Sequence, residues 1–232
     1  RRMITHPLAS LARLLPAVVV LLSGCQLESL SQRQQRQRHH YLGDAVGSQK
    51  PLLWTSRRSP EADGVIASLM AAQLYGGQAS VSGDLTPQTR QILERCEQSA
   101  PEPSNGLAGS QIGLVAVNQS NALDHAIKPA QVVAIVDHHA IGEDTLKLPQ
   151  PRRIDVRPWG ATATIFEHQA QGLGVVLPRP LACAALGAIA AQTKGLQAPS
   201  TTSHDRQSTA RLARRAGIHQ AQLLTTFDLE DH

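Results

Sequence analysis

The chain has 232 residues, 41% of them hydrophobic and 17% charged, with a formal net charge of +4, which fits one large or two small globular domains. Aromatic residues make up only 3%, so the core has to be built from Ala, Leu, Ile and Val. The basic excess gathers at residues 33–40 and at Arg214 and Arg215; no aromatics interleave with it, so a basic linker and a solvated helix face are expected rather than a nucleic-acid surface.

From Met3 the chain reads like an export signal. Arg13 supplies positive charge, and residues 14–22 form an apolar run broken only by Pro16. That run is too short to span a bilayer but suits a signal segment. It ends in Leu22-Ser23-Gly24-Cys25, the pattern of a bacterial lipobox, which makes the Cys25 thiol the expected lipid attachment point. The other reading is a buried apolar helix with a chance cysteine. Lipidation implies a membrane-anchored lipoprotein on the periplasmic or extracytoplasmic side; an unused signal implies a cytoplasmic protein. Three cysteines are too few for a disulfide framework, and Cys96 and Cys183 are expected as small buried hydrophobes. Residues 26–50, rich in Gln, Arg, Ser and His without apolar period, read as a flexible linker, and structure is expected from Pro51.

Beyond that point strand and helix signals alternate. Strands are expected at residues 52–55, 78–82, 112–117, 132–136 and 153–156, and helices at 65–74, 87–96, 161–171, 180–193 and 203–216. Gly76-Gly77 closes the first helix, and Thr86 with Pro87 opens the second, Pro being suited to the first helical position. Residues 132–136, Val-Val-Ala-Ile-Val, have the continuous apolar character of a central parallel strand. The alternation predicts an α/β fold, a doubly wound, mostly parallel sheet with helices on both sides. In such sheets ligands bind beyond the carboxyl ends of the strands. Asp137, His138 and His139 fall there, and so does the segment from Pro60 to Asp63.

Imidazole nitrogens and a carboxylate at a strand end suit a divalent metal. Ile135-Val136-Asp137-His138-His139 matches the motif that names the DHH phosphoesterases. Gly83-Asp84-Leu85-Thr86-Pro87-Gln88-Thr89, Pro158-Trp159-Gly160-Ala161-Thr162-Ala163-Thr164 and Pro199-Ser200-Thr201-Thr202 are similar, in order, to segments of the manganese-dependent (family II) inorganic pyrophosphatases of that superfamily. The resemblance covers residues 51–218 and the family's N-terminal domain. It implies hydrolysis of pyrophosphate, or binding of another small phosphorylated ligand, and a possible homodimer. Residues 219–232 would open the connection to a C-terminal domain that the chain lacks.

The resemblance also implies two manganese ions, roughly 3.5 to 4 Å apart, activating a water. Here the sequence departs from the family pattern. A ligand His is replaced by Arg57 and a ligand Asp by Glu61, while Asp63 is retained. An Asp-His pair is replaced by Ala116-Val117, and another Asp by Gln192; His138 is retained. Two divalent ions at that spacing repel by ~18 kcal/mol at an effective dielectric near 20, and the carboxylates that offset this are largely gone. The expected site therefore holds one ion at most, on Glu61, Asp63 and His138, with Asp137, His138 and His139 as catalytic residues and His139, Arg57 and Arg58 toward substrate phosphate. Activity is expected to be weak or absent. Two other readings stay open: a non-catalytic membrane-anchored module binding a phosphorylated ligand or a protein, and a phosphoesterase acting on short oligonucleotides or cyclic dinucleotides.

Overall fold

The computed structural model describes residues 32, 36, 40–42, 50–104, 106–150 and 152–229. The expected signal segment, with Cys25 and most of the linker, lies outside the described residues. Among the described residues no helix is long and apolar enough to cross a membrane.

Six strands form one sheet: β1 (Leu52–Thr55), β2 (Gln78–Val81), β3 (Glu102–Pro103), β4 (Gln111–Val115), β5 (Val132–Asp137) and β6 (Arg153–Val156). Their order is β3-β2-β1-β4-β5-β6, and all five pairings are parallel. This is the doubly wound strand order, with its switch point between β1 and β4. The helices are α1 (Ala62–Tyr75), α2 (Pro87–Arg95), α3 (Thr162–Gly172), α4 (Arg179–Gln192), α5 (Ser203–Ala216) and α6 (Leu223–Phe227).

The expected strands and longer helices are present, with ends moved by one to three residues. The elements not anticipated are β3, three 3-10 turns near residues 107, 120 and 129, another at 220–222, and α6. Two-residue β3 carries a proline, which an edge position tolerates.

One expectation is corrected. The larger core joins Leu52, Trp54, Val115, Val133 and Val136 to residues of all six helices. The opposite face, with Leu53, Ile112, Leu114, Val132 and Ile135, is covered by Leu107, Leu123 and Ile127. Those residues belong to loops and 3-10 turns, so among the described residues the α-helices lie on one face only. The physical reason is legible in residues 116–131 and 138–152, which join β4 to β5 and β5 to β6. They carry prolines, glycines and polar residues without the apolar period that a crossover helix needs.

The packed body also reaches back beyond Pro51. Leu42 is buried, Tyr41 stacks on Tyr75 with ring centroids 4.0 Å apart, and the Arg153 guanidinium covers the Tyr41 ring. At the other end α6 packs into the core through Leu223 and Phe227.

The two strands at the switch point meet where Trp54 pairs with Gly113. Trp54 is fully buried, and its indole N–H donates to the Gly76 carbonyl at 2.9 Å. A Cβ on Gly113 would lie 2.2 Å from the Trp54 ring, so glycine is what lets the ring lie flat across β4. Gly113→Ala is expected to lower stability by about 1–3 kcal/mol through overpacking, measured by urea unfolding.

Candidate functional site

At the carboxyl end of the switch point a small cleft is lined by Ser56, Arg57, Glu61, Asp63, Gly64, Ala116, His138, His139 and Gln192. The topology explains the assembly. Ser56 and Arg57 follow β1, Ala116 follows β4, and His138 and His139 follow β5. Glu61 to Gly64 open α1, and Gln192 ends α4. Gly64 permits the close approach of α1 to β1, since a Cβ there would lie 2.2 Å from Ser56 Oγ.

Within the cleft Asp63 and His138 form the best organised pair. His138 Nδ1 lies 3.2 Å from the Trp159 carbonyl. A carbonyl only accepts, so this nitrogen donates, and in the neutral tautomer that follows Nε2 is the nitrogen with the lone pair. That Nε2 is buried without a hydrogen-bond partner and stands 3.6 Å from Asp63 Oδ2, too far for a hydrogen bond. A backbone carbonyl on the far nitrogen is the usual way of orienting a metal-binding imidazole. Asp63 is 3% exposed. It accepts from the N–H groups of Thr162 and Ala163, each at 2.9 Å, at the start of α3. Each of its oxygens keeps a second lone pair.

Asp137 lies behind the two histidines. It is fully buried and absent from the cleft wall. Its Oδ1 accepts from His138 N–H at 2.8 Å and His139 N–H at 3.2 Å, and lies 2.7 Å from His139 Nδ1. Asp137, His138 and His139 can bring one ligand atom each within 4.8 Å of one another; Asp137 Oδ1 is shared by three nitrogens, while its Oδ2 is buried without a hydrogen-bond partner. It acts as a positioning residue for the two imidazoles. The hydrogen bond that His139 Nδ1–H donates to Asp137 outweighs the opposing burial and raises the His139 pKa above the ordinary imidazole value, which favours a cationic ring facing an anion.

Glu61 and Arg58 make other contacts in this structure. Glu61 is more than half exposed and pairs with Arg57 at 3.5 Å, so these two half-solvated groups neutralise each other instead of converging on His138. Arg58 turns away from the cleft. Its Nη1 lies 2.8 Å from His125 Nε2 and its Nη2 donates to the Asn121 carbonyl at 3.1 Å, because its own N–H is bound to Ala122 O in the loop after β4. In this structure its contacts are with that loop.

Ala116 stands where the resemblance places a ligand Asp, and Val117 is buried in the second core. The backbone at Ala116 nevertheless holds φ at 53°. That left-handed conformation is uncommon for non-glycine residues, and Asp and Asn tolerate it better than Ala. The bend that would aim a carboxylate therefore persists without the carboxylate.

Sequence reasoning missed the residues that act through others. The Asn118 amide donates to the carbonyls of His139 and Ala140 at 3.2 and 3.4 Å, tying the β4 rim to the β5 rim. Asp205 is fully buried and accepts from Gly160 N–H at 2.9 Å and Thr164 Oγ1 at 2.6 Å, which fixes the segment carrying the Trp159 carbonyl. Its spacing from Thr202 is that of a capping box, the one local signal available. Trp159 is itself stacked on His204 at 4.0 Å and overlaid by Arg157.

The two perturbed imidazoles give a pH test. Raised by Asp137, His139 contributes stability below its unfolded pKa and loses it as pH rises through the folded value. His168 shifts the other way, lowered first by burial and then by Arg157 and His204; it opposes the fold as pH falls below its unfolded value. Imidazole NMR titration of the metal-free protein is expected to place His139 above and His168 below the ordinary range. Asp137→Asn should bring His139 down and leave His168 unmoved.

No family model matches the chain. It is 30% identical over 178 residues to the probable manganese-dependent inorganic pyrophosphatase of Archaeoglobus fulgidus, covering 69% of this chain and 55% of that protein. To the manganese-dependent inorganic pyrophosphatase of Methanocaldococcus jannaschii it is 27% identical over 169 residues, covering 69% and 54%. Its fold superposes on the crystal structure of a Methanococcus jannaschii protein assigned to the family II inorganic pyrophosphatases with a TM-score of 0.70. That match has 24% identity and covers 77% of this chain and 59% of the other. An exopolyphosphatase-related protein from Bacteroides fragilis gives a TM-score of 0.61 at 13% identity. The chain thus spans about half the length of the relatives it matches, and over that span it has the fold of the manganese-dependent, family II inorganic pyrophosphatases, roughly their N-terminal domain, with an incomplete candidate metal site.

Proposed function

We propose that the cleft is a pyrophosphatase-type site in decline: it takes pyrophosphate or a related small phosphorylated ligand, holds at most one divalent cation, manganese by kinship, and hydrolyses its ligand weakly or not at all. The observation that carries this reading is the buried, unpartnered His138 Nε2 facing Asp63, beside an Ala116 that offers no ligand.

The residues present fit one cation and do not fit two. His138 and Asp63 would hold the ion, and Glu61 could join them only by leaving Arg57. Gln192 offers an amide oxygen without charge, and Ala116 offers nothing. A bound divalent ion would supply Lewis acidity and lower the pKa of a coordinated water. The chain's own contribution is positioning. His139, held by Asp137, presents a proton-bearing ring to a phosphate oxygen, and Arg57 adds positive charge at the mouth.

The test is phosphate release from pyrophosphate by the full chain, with manganese titrated in. The expected result is little or no turnover, and His138→Ala should abolish whatever manganese-dependent turnover exists. Calorimetry showing two tightly bound manganese ions per chain would sink the reading. Restoring carboxylate and imidazole ligands together, through Arg57→His, Glu61→Asp, Ala116→Asp and Gln192→Asp, is expected to raise manganese affinity at least tenfold in the same calorimetric assay, since each change returns a ligand or removes a competing charge.

A further inference from the structure

We propose that Cys96 and Cys183 form a structural disulfide, closed in an oxidising compartment, that staples α2 to α4 behind the cleft. The two sulfurs are bonded and their Cα atoms are 5.4 Å apart, within the range that unstrained disulfides occupy. Both residues are buried, at 5% and 7% exposure. The reading of these cysteines as separate small hydrophobes is therefore corrected. Sequence alone could not pair them, since 87 positions separate them and only the packing of α2 on α4 brings them together.

The staple sits where the packing needs one. Helix α2 has nine residues and buries only Thr89, Ile92 and Leu93, too little apolar surface to hold a short helix firmly. It approaches α4 so closely that a Cβ on Gly187 would lie 2.7 Å from Ile92 Cγ2. Cys96 caps the end of α2, and Cys183 lies in the N-terminal half of α4, whose other end carries Gln192 into the cleft. A cross-link closing so long a loop restricts the unfolded chain strongly.

Such bonds persist in exported proteins and are rare where thiols are kept reduced. Export is also what the segment ending in Cys25 implies, and that segment is independent of the disulfide. Closing the bond removes two electrons and two protons from the thiols of Cys96 and Cys183. A protein dithiol oxidant in its disulfide form accepts them by thiol–disulfide exchange and leaves as the dithiol. The inference stands apart from the activity of the cleft.

The test has two arms on the full chain. In the first, thiols are trapped with an alkylating agent at harvest from the cells that make the protein. Peptides containing Cys96 and Cys183 are expected joined, and alkylated only after reduction; both found alkylated without reductant would overturn the proposal. In the second, thermal unfolding is followed for Cys96→Ala, Cys183→Ala and the double variant, with and without reductant. A disulfide predicts that each single change lowers Tm by roughly 10–15 °C, that the double change adds little, and that reductant brings the unaltered chain down to the same level. Small additive losses insensitive to reductant would show two separate packing thiols and reject the staple. Should a variant fail to fold, the effect of reductant on the unaltered chain still decides.

Discussion

The site depends on the buried carboxylate of Asp63. It begins on α1, satisfies the first backbone N–H groups of α3, and faces the open nitrogen of His138 at the end of β5. One side chain thus locks three elements that are remote in sequence. The helix-terminal amides need an acceptor, because the first turn of a helix leaves its donors unpaired, and a buried carboxylate needs donors. Each solves the other's problem, so the orientation of Asp63 is set by backbone geometry before any ligand arrives.

Around that anchor the remaining groups divide into those that still converge and those that have turned outward. His138 is aimed by the Trp159 carbonyl, whose segment is in turn held by Asp205. His139 is aimed by Asp137. Both imidazoles therefore keep a supporting layer whose named acceptors are hydrogen-bonded, as buried polar groups require. Against this, Arg57 and Glu61 satisfy each other at the mouth, and Ala116 and Val117 contribute only backbone and packing. Ala116 retains a backbone conformation that an acidic residue would adopt with less strain. The contacts that orient the two imidazoles are present, and the candidate metal site they serve is incomplete.

The helices form one continuous hydrophobic layer, cross-linked between α2 and α4, while the other face of the sheet is covered by loops and short 3-10 turns. Those loops leave β4 and β5 to carry the cleft rims, and Asn118 links the two rims. The helical layer therefore carries Asp63 and Gln192, and the ends of β4 and β5 carry Ala116 and the two histidines. The cleft lies at their junction, at the one point in the sheet where crossovers leave in opposite directions.

The sequence by itself determined the parallel α/β fold, because short-range apolar periods and Gly, Pro and Thr punctuation are local properties. It also determined which chemistry-bearing residues lie at strand ends, with Asp63, His138 and His139 all found at the cleft. Tertiary structure alone decided the rest. Which partner a long side chain takes depends on what lies across the rim, so Arg58 joins the loop after β4 and Glu61 turns to Arg57. Packing behind the rim placed Asp137 Oδ1 against three nitrogens of the two histidines and gave Asp205 its role. That the second face has no α-helix among the described residues follows from loops whose composition was visible but whose covering of Leu53 and Ile135 was not. The joining of Cys96 to Cys183 depends on one helix docking on another across a long stretch of chain, and no local pattern encodes such a distance.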